Sequence, residues 1–286
     1  MLKSILLPLS AMVSSPGLVK AGVEIARRSN GTLNALFFRA DPRTSIPYLG
    51  EGLTADMIQQ ICDSAEVESK TAAEKAKAQF LQLLDASAVP YLDGYSHDKA
   101  TAQWTEQVGT LTGNVGRQAR TADLSLCLQP DPDNPDREDI FSELLFRSGR
   151  PVLMMPDDWE ATTLGKHALI CWNGRVEGAR AVAAALPILK DAEKVTLLQI
   201  GDVEPDRPGL DQLEDYLAQH GINVQKRSDD QTKASVAEQI HATAESVGAD
   251  MLVIGAYSHA RWRELILGGV TNWLSTESKI PVFMSH

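Results

Sequence analysis

The sequence has few cysteines and no long apolar run. Only Cys62, Cys127 and Cys171 occur among its 286 residues, and their spacing does not match a metal site. Cys127 and Cys171 lie inside apolar runs, which is typical of buried strand residues. The low count favours a reducing compartment. No apolar run approaches the ~20 residues of a membrane span. We therefore expect a cytoplasmic protein without a membrane-spanning segment.

Basic residues are also in deficit. The chain carries 27 Lys and Arg against 38 Asp and Glu, a formal net charge of −11. A general nucleic-acid binder needs a basic surface to neutralise phosphates, and docking on anionic lipid has the same requirement. The composition therefore disfavours both partners, and the acidic surface mainly indicates solubility.

The first residues allow two interpretations. Residues 1–13 superficially resemble a signal peptide, with a lysine followed by an apolar stretch. The competing interpretation is a first β-strand over 3–9. We favour the strand, because the same pattern recurs in mid-chain, where no signal peptide acts.

The two halves of the chain share similar segments in the same order. The longest matches pair strand-like segments, and an Ala- and Val-rich helical segment follows the first of them in each half. The matched pairs are 5–10 with 168–173, 32–38 with 194–200, 122–128 with 249–255, and 150–156 with 280–286. Such fixed-order similarity predicts one structural unit that is present twice.

Each half alternates short apolar strands with amphipathic helices. This alternation predicts an α/β fold with a parallel, doubly wound sheet in each half. We expect two tandem five-stranded sheets of order 3-2-1-4-5, in domains 1–156 and 166–286, related by a pseudo-two-fold axis. Ligands of such sheets bind at the carboxyl ends of the strands, at the switch point between the first and fourth strands.

The second half gives the clearer pattern of elements. Its predicted strands are 167–172, 194–200, 222–227, 250–255 and 281–285, and its predicted helices are 175–190, 209–220, 232–247 and 262–277. Near-continuous apolar strands of this kind are typical of parallel sheets covered on both faces.

The first half carries two insertions. A loop that contains Pro and Gly spans 41–54, and a long helix is predicted over 56–84. The helix is interpreted either as a solvated cover or as a surface for a partner. The linker between the halves is 157–166.

The most informative stretch runs from Gly255 to Thr271, from the predicted fourth strand into a helix. Glycines let backbone N–H groups approach an anion, and a helix N-terminus supplies unpaired N–H donors. Gly268 and Gly269, with Thr271, could therefore cradle phosphates. A structural turn is the alternative interpretation.

This stretch resembles the signature of the universal stress proteins, Gly-x2-Gly-x9-Gly-Ser/Thr. Gly255 matches its first glycine and Gly268 its third, whereas Ser258 stands at the second glycine and Gly269 at the Ser/Thr position. Thr271 could supply the missing hydroxyl. The resemblance covers essentially the whole chain. It implies a Rossmann-like fold of the adenine nucleotide α-hydrolase-like type and, in the second half, a site for ATP.

The end of the first strand of the second half departs from that resemblance. ATP-binding members carry an Asp that recognises adenine, and Asn173 followed by Gly174 occupies this place. An Asn keeps an acceptor oxygen and gains a donor, so it could still bind a base edge. It could equally be the N-cap of the following helix.

The first half departs further. Ser10 stands at the adenine position, and the phosphate loop 129–136 has three prolines, three aspartates and no glycine. Proline removes a backbone donor, and carboxylates repel phosphate. We interpret 129–136 as a solvated acidic loop, with a hard cation at Asp131, Asp133 and Asp136 as the alternative.

Catalytic patterns are missing. The six histidines form no HExxH motif, and only His259 lies in the signature loop, where it could contact a phosphate. The sequence assigns no catalytic residue and no metal ligand. The resemblance to the universal stress proteins implies a regulatory stress-response protein whose halves form a pseudo-dimer within one chain, with a homodimer also open. The alternatives are an interaction scaffold that binds no nucleotide and, less favoured, a weak nucleotide hydrolase.

Overall fold

A computed structural model describes residues 1–12, 15–41, 54–160, 163–202, 204–256 and 269–286 of the chain. In the first half the strands are β1 Ser4–Ser10, β2 Thr32–Arg39, β3 Thr101–Val108, β4 Leu124–Leu128 and β5 Val152–Met155. The helices are α1 Pro16–Ser29, α2 Ala55–Asp85, α3 Val115–Ala119 and α4 Pro135–Arg147.

The second half repeats this order of elements. Its strands are β6 His167–Cys171, β7 Lys194–Ile200, β8 Gln225–Asp229, β9 Met251–Gly255 and β10 Val282–Ser285. Its helices are α5 Val176–Leu189, α6 Leu210–Gln219, α7 Val236–Val247 and α8 Gly269–Glu277. Predicted and observed ends of β7 coincide, whereas β8 begins three residues later than predicted, and α7 begins four residues later.

The late start of α7 has a local cause. Ser235 is the N-cap, its side chain accepts a hydrogen bond from the Glu238 N–H, and the Glu238 carboxylate accepts one from the Ser235 N–H. This reciprocal capping box stops the helix from extending toward residue 232. The late start of β8 has a different cause. The backbone N–H of Ile222 donates to the Leu217 carbonyl of α6, so Ile222 belongs to the turn after that helix. Pairing with β7 begins only at Gln225.

The ten strands form one sheet, of order β3-β2-β1-β4-β5-β10-β9-β6-β7-β8. The expected order 3-2-1-4-5 holds in each half, and the neighbouring strands within each half are parallel. The prediction of two separate five-stranded sheets was wrong, because β5 and β10 pair with each other. Each would otherwise present an apolar edge to solvent, and pairing them removes both edges.

The junction is the antiparallel pair of β5 and β10. Met154 faces Val282 and Val152 faces Met284, and these side chains are buried. The carbonyls of Pro281 and Ser285 accept hydrogen bonds from the β9 side. Alternate residues of a strand direct their backbone groups to opposite neighbours, so Val282 and Met284 direct theirs to β5. The last strands of the two halves thus contact each other directly.

Paired hydrogen bonds recur in the two halves. The Asp123 carboxylate accepts from the N–H groups of Lys3 and Ser4, at 2.7 and 3.0 Å. In the second half the Asp250 carboxylate accepts from Lys166 and His167, at 3.1 and 2.9 Å. Both aspartates precede the fourth strand of their half and fix the start of the first. The Ala-Asp pair that recurs in the sequence therefore has the same structural role twice.

A second repeated contact lies before the last strand of each half. The Ser148 hydroxyl accepts from the Arg150 N–H at 3.0 Å, and the Ser278 hydroxyl accepts from the Ile280 N–H at 3.2 Å. Both hydroxyls hold the turn that leads into β5 or β10. The two halves therefore have a similar fold down to individual side-chain contacts.

Helix α2 confirms the long helix predicted in the first half. Ala73, Phe80 and Leu84 are its buried residues, so its second half packs on the body while most of its first half is exposed. Phe80 contacts Trp104, which stacks on Phe37 at 5.4 Å between ring centroids. Across the described part of the chain, no helix combines the length and apolar character needed to cross a membrane.

The thiols of Cys127 and Cys171, which lie in strands β4 and β6, provide a direct test of the core. Burial raises the pKa of Cys171 to about 12 and raises that of Cys127 further. A thiolate is the reactive form, so both thiols should be inert in the native protein. Cys62 and Cys171 are both partly exposed, but Cys171 ends strand β6 and has the raised pKa, so Cys62 on helix α2 should react alone. We expect one thiol per chain to react rapidly with an aromatic disulfide reagent, and three after denaturation; rapid reaction of all three natively would contradict this core.

Candidate functional site

The carboxyl ends of β6 and β9 form the switch point of the second half. The two strands are parallel neighbours, with Ala168 opposite Met251 and Ile170 opposite Val253. Asn173 and Gly174 follow β6, and Gly255 ends β9. These three of the predicted site residues therefore meet at one edge of the sheet.

The remaining predicted residues belong to the loop after β9 and to α8. Ser258, His259 and Gly268 lie outside the described residues. Gly269 is the first described residue of α8 and is exposed, and no atom of the described residues lies within 4 Å of the position a Cβ would take. Thr271 is 5% exposed. Gly269 thus lies at the surface of the described part of the chain, whereas Thr271 is largely withdrawn from it.

Asn173 organises the turn that leads into α5. Its side-chain oxygen accepts a hydrogen bond from the Arg175 N–H at 3.1 Å, and Gly174 between them has a φ of +69°. Such a φ favours glycine, because a Cβ would be strained there. Arg175 is the N-cap of α5, so the alternative that Asn173 is the N-cap was wrong. Asn173 is exposed and stands at the mouth of the switch point.

Gly255 is explained by packing. A Cβ at this position would lie 2.6 Å from the carbonyl carbon of Glu177 and 2.9 Å from the Cα of Gly178, and closer still to the Gly178 nitrogen. The first turn of α5 therefore rests directly on the end of β9. The first glycine of the signature serves this close approach of helix and strand, which brings α5 to the edge of the site.

Trp172 is a neighbour of the site that the sequence did not single out as a site residue. Its indole N–H donates to the carbonyl of Pro208 at 2.8 Å, and its backbone N–H donates to Leu198. It is buried, and it ties the loop that follows β7 to the end of β6, beside Asn173. Its position directly before Asn173 in the sequence was the available signal, and the structure shows that this tryptophan positions the loop.

The corresponding switch point of the first half is closed by its own side chains. The Ser10 hydroxyl donates to the Asp136 carboxylate at 2.5 Å, linking the end of β1 to the first turn of α4. The Asn134 amide donates to the Met12 carbonyl at 2.8 Å. Both contacts join the segments after β1 and after β4, which is where a ligand would enter.

The linker between the two halves also contacts the switch point of the first half. Arg137 of α4 forms an ion pair with Asp157 at 2.6 Å. On the other side, a Cβ at Gly17 in the first turn of α1 would lie 2.6 Å from the carbonyl oxygen of Trp159. Residues 157–159 thus contact the first turns of both helices that flank the switch point.

The acidic loop 129–136 of the first half takes part in the same set of contacts. Asp131 lies 3.6 Å from the Arg137 guanidinium and accepts a hydrogen bond from the Asp133 N–H, while Asp136 is bonded to Ser10. Within the described ranges, no group of three or more His, Cys, Asp or Glu residues could hold a metal ion. The carboxylates of Asp131 and Asp136 thus make contacts within the first half at this edge.

The strand order of each half defines a doubly wound α/β fold class. A comparison with known protein families identifies a more specific similarity. Residues 166–286 match the Universal stress protein family. The second half is therefore a universal stress protein domain. No match was found among the curated proteins.

Solved structures extend the likeness of fold to the whole chain. A universal stress protein from Archaeoglobus fulgidus DSM 4304 aligns with a TM-score of 0.70 at 14% identity, over 98% of this chain and 97% of that one. A functionally unknown protein from Pseudomonas aeruginosa PAO1 aligns with a TM-score of 0.55 at 16% identity, over 99% and 92%. At such identities the likeness concerns the fold.

Proposed function

We propose that the chain is a tandem universal stress protein in which only the second half binds an adenine nucleotide, with ATP as the first candidate. The first half is then a diverged copy that serves as a structural partner. In this proposal the antiparallel junction of β5 and β10 makes the chain an internal pseudo-dimer. The protein would act in the cytoplasm as a regulatory stress-response module and not as an enzyme.

The observation that carries the proposal is the contrast between the two switch points. In the first half, Asp136 and Asn134 bond across the cleft to the segment after β1. In the second half the described part of the equivalent edge has Gly174 at a positive φ, exposed Asn173, and Gly269 with no described atom within 4 Å of the position a Cβ would take. A triphosphate needs backbone donors without side chains in front of them, and this contrast supports a site in the second half.

The residues have separate roles in this proposal. Asn173 would bind the base edge through its amide, since its oxygen already accepts the Arg175 N–H. Ser258, His259 and Gly268, with Gly269, would line the phosphates. Gly174 and Gly255 would shape the site, through the turn and the helix contact already described.

A second candidate is an interaction scaffold of the same fold that binds no nucleotide. Thr271, the residue available to replace the signature hydroxyl, is buried. The oxygen of Asn173 is engaged in its own turn. Ser258 also adds a Cβ where the family pattern has glycine. These features favour the scaffold if the loop cannot accept phosphate.

Titration with ATP at fixed salt separates the two candidates. We expect the parent protein to bind ATP, and Gly268→Val to abolish binding, because a branched side chain would stand in the phosphate path. If the loop needs a positive φ at residue 258, serine costs about 1 kcal/mol. Ser258→Gly should then tighten binding about fivefold.

The matched control lies in the first half. Asp131→Ala removes a carboxylate from the closed loop and should leave ATP affinity unchanged, because that loop takes no part in the proposed site. Equal affinity for the parent, Ser258→Gly and Gly268→Val would exclude this loop as the phosphate site, and the scaffold would become the leading function.

A further inference from the structure

Exposed arginines lie together where helices α3 and α4 end. Arg120 is the C-cap of α3, and its Nε donates to the carbonyl of Arg147, the last residue of α4, at 3.2 Å. The Nε of Arg150 donates in turn to the carbonyl of Arg120 at 3.0 Å. The terminal nitrogens of these two donating guanidinium groups have no acceptor among the described residues. Together with Arg117, one turn earlier on α3, these residues form what we call the arginine patch: Arg117, Arg120, Arg147 and Arg150.

The guanidinium groups of the patch are fixed in position, and most of them have no acidic partner. Arg117 donates to the side chain of Asn114 at 2.6 Å, and Arg147 forms an ion pair with buried Glu143 at 3.1 Å. Within the described ranges, no carboxylate forms an ion pair with any of the other three arginines. The patch therefore presents ordered positive charge that the rest of the described chain does not neutralise.

The fold itself does not require these arginines, because the second half forms the same elements without them. The equivalent aspartates and serines described above, which hold the starts of the first and last strands in each half, align the two halves at this point. In that alignment the residues equivalent to the arginine patch are Ala244, Val247, Glu277 and Ile280. Helix α8 even ends in Glu277, which is opposite in charge to Arg147 at the end of α4. The arginines are thus an addition of the first half that the shared architecture does not need.

The charge around the patch indicates what kind of ligand it fits. The chain has a formal net charge of −11, and the two carboxylates nearest in sequence, Asp123 and Glu143, are already engaged by backbone N–H groups and by Arg147. A long polyanion such as a nucleic acid would extend from the patch over the acidic remainder of the surface. A short acidic segment would interact with the patch alone, since charges farther than about 8 Å are screened at physiological salt.

We propose that the arginine patch is a docking surface for a short Glu- and Asp-rich segment of a partner protein. Arginine binds a carboxylate through two parallel hydrogen bonds, and guanidinium groups that are already held in place lose little freedom on binding. The first half would then recruit a partner, in addition to its structural role beside the second half. This inference goes beyond the proposed function and does not depend on nucleotide binding.

Fluorescence anisotropy with a fluorescein-labelled octaglutamate peptide tests the proposal on the full chain, without nucleotide. We expect saturable binding to the parent protein at about 50 mM salt, and weaker binding as the salt concentration rises. The double variant Arg120→Val and Arg150→Ile introduces the residues of the second half. It should bind about tenfold more weakly, at about threefold for each exposed ion pair lost. Its Tm should stay within about 4 °C of the parental value, because the second half folds with these residues.

The matched control is Arg27→Gln, which removes an exposed arginine of α1 outside the patch and should leave the affinity for the peptide unchanged. If the double variant does not fold, Arg117→Gln replaces it, since it disturbs neither carbonyl contact, and should weaken binding about threefold. Octathymidine is the competing ligand. The proposal is overturned by absence of saturable peptide binding, by parental affinity in the folded patch variant, or by tighter binding of octathymidine than of the peptide.

Discussion

Replacing Gly255 with alanine is expected to destabilise the protein by about 3 kcal/mol, the upper range for overpacking in a core. The added Cβ would overlap the backbone of Glu177 and Gly178, which are in the first turn of α5 and cannot rotate away as a side chain would. Thermal unfolding should show a loss of about 6 to 12 °C in Tm. The helix would have to move off the end of β9, so any ligand affinity of this edge should fall as well.

The matched control is Gly269→Ala. A Cβ there meets no atom of the described residues within 4 Å, so the stability of this variant should stay within about 1 kcal/mol of the parent. If both alanine variants unfold at the parental temperature, α5 does not rest on β9 as described, and Gly255 would then be free for direct ligand contact.

Replacing Met284 with proline should have an equally large effect. Met284 lies in the middle of the ten-stranded sheet, opposite Val152, and directs its backbone groups to β5. Proline removes that donor and is tolerated in sheets essentially only at edges or bulges. We expect a loss of at least about 3 kcal/mol in the free energy of unfolding, together with self-association, because the apolar edges of β5 and β10 become available to other chains.

Met284→Leu keeps the volume and the backbone donor and should cost less than about 1.5 kcal/mol. Denaturant unfolding followed by light scattering measures both quantities. A proline variant that is monomeric and as stable as the leucine variant would show that the two halves do not depend on this junction.

Periodicity and repetition were enough to predict the strand order of each half and, within a few residues, the elements of the second half. The Ala-Asp pair recurs because Asp123 and Asp250 hold the same two backbone N–H groups in their own half. The pairing of β5 with β10, which makes one sheet of the two halves, was harder to predict. Strand alternation describes one half at a time, whereas the antiparallel pairing of β5 with β10 depends on two apolar edges meeting, one from the middle of the chain and one from its end.

The candidate site was predicted less completely. Spacing located Asn173, Gly174 and Gly255 at one edge, because they follow or end parallel strands. Spacing did not distinguish a glycine that packing requires from a glycine that phosphate binding requires. The distinction at Gly255 depends on the backbone of α5, which approaches it in the folded protein. The closure of the first half also depends on long-range partners, such as Ser10 with Asp136, and no local pattern predicts these.

The central claim is that one of the two switch points binds a nucleotide and the other is closed by its own chain. Any co-purified ligand is first identified by mass spectrometry and removed. Isothermal titration of the whole 286-residue chain with ATP then tests the claim most directly. The account predicts one site per chain, unchanged by Asp131→Ala and lost in Gly268→Val. Two equivalent sites would contradict the closure of the first half, and no binding at all would contradict the proposed nucleotide site of the second.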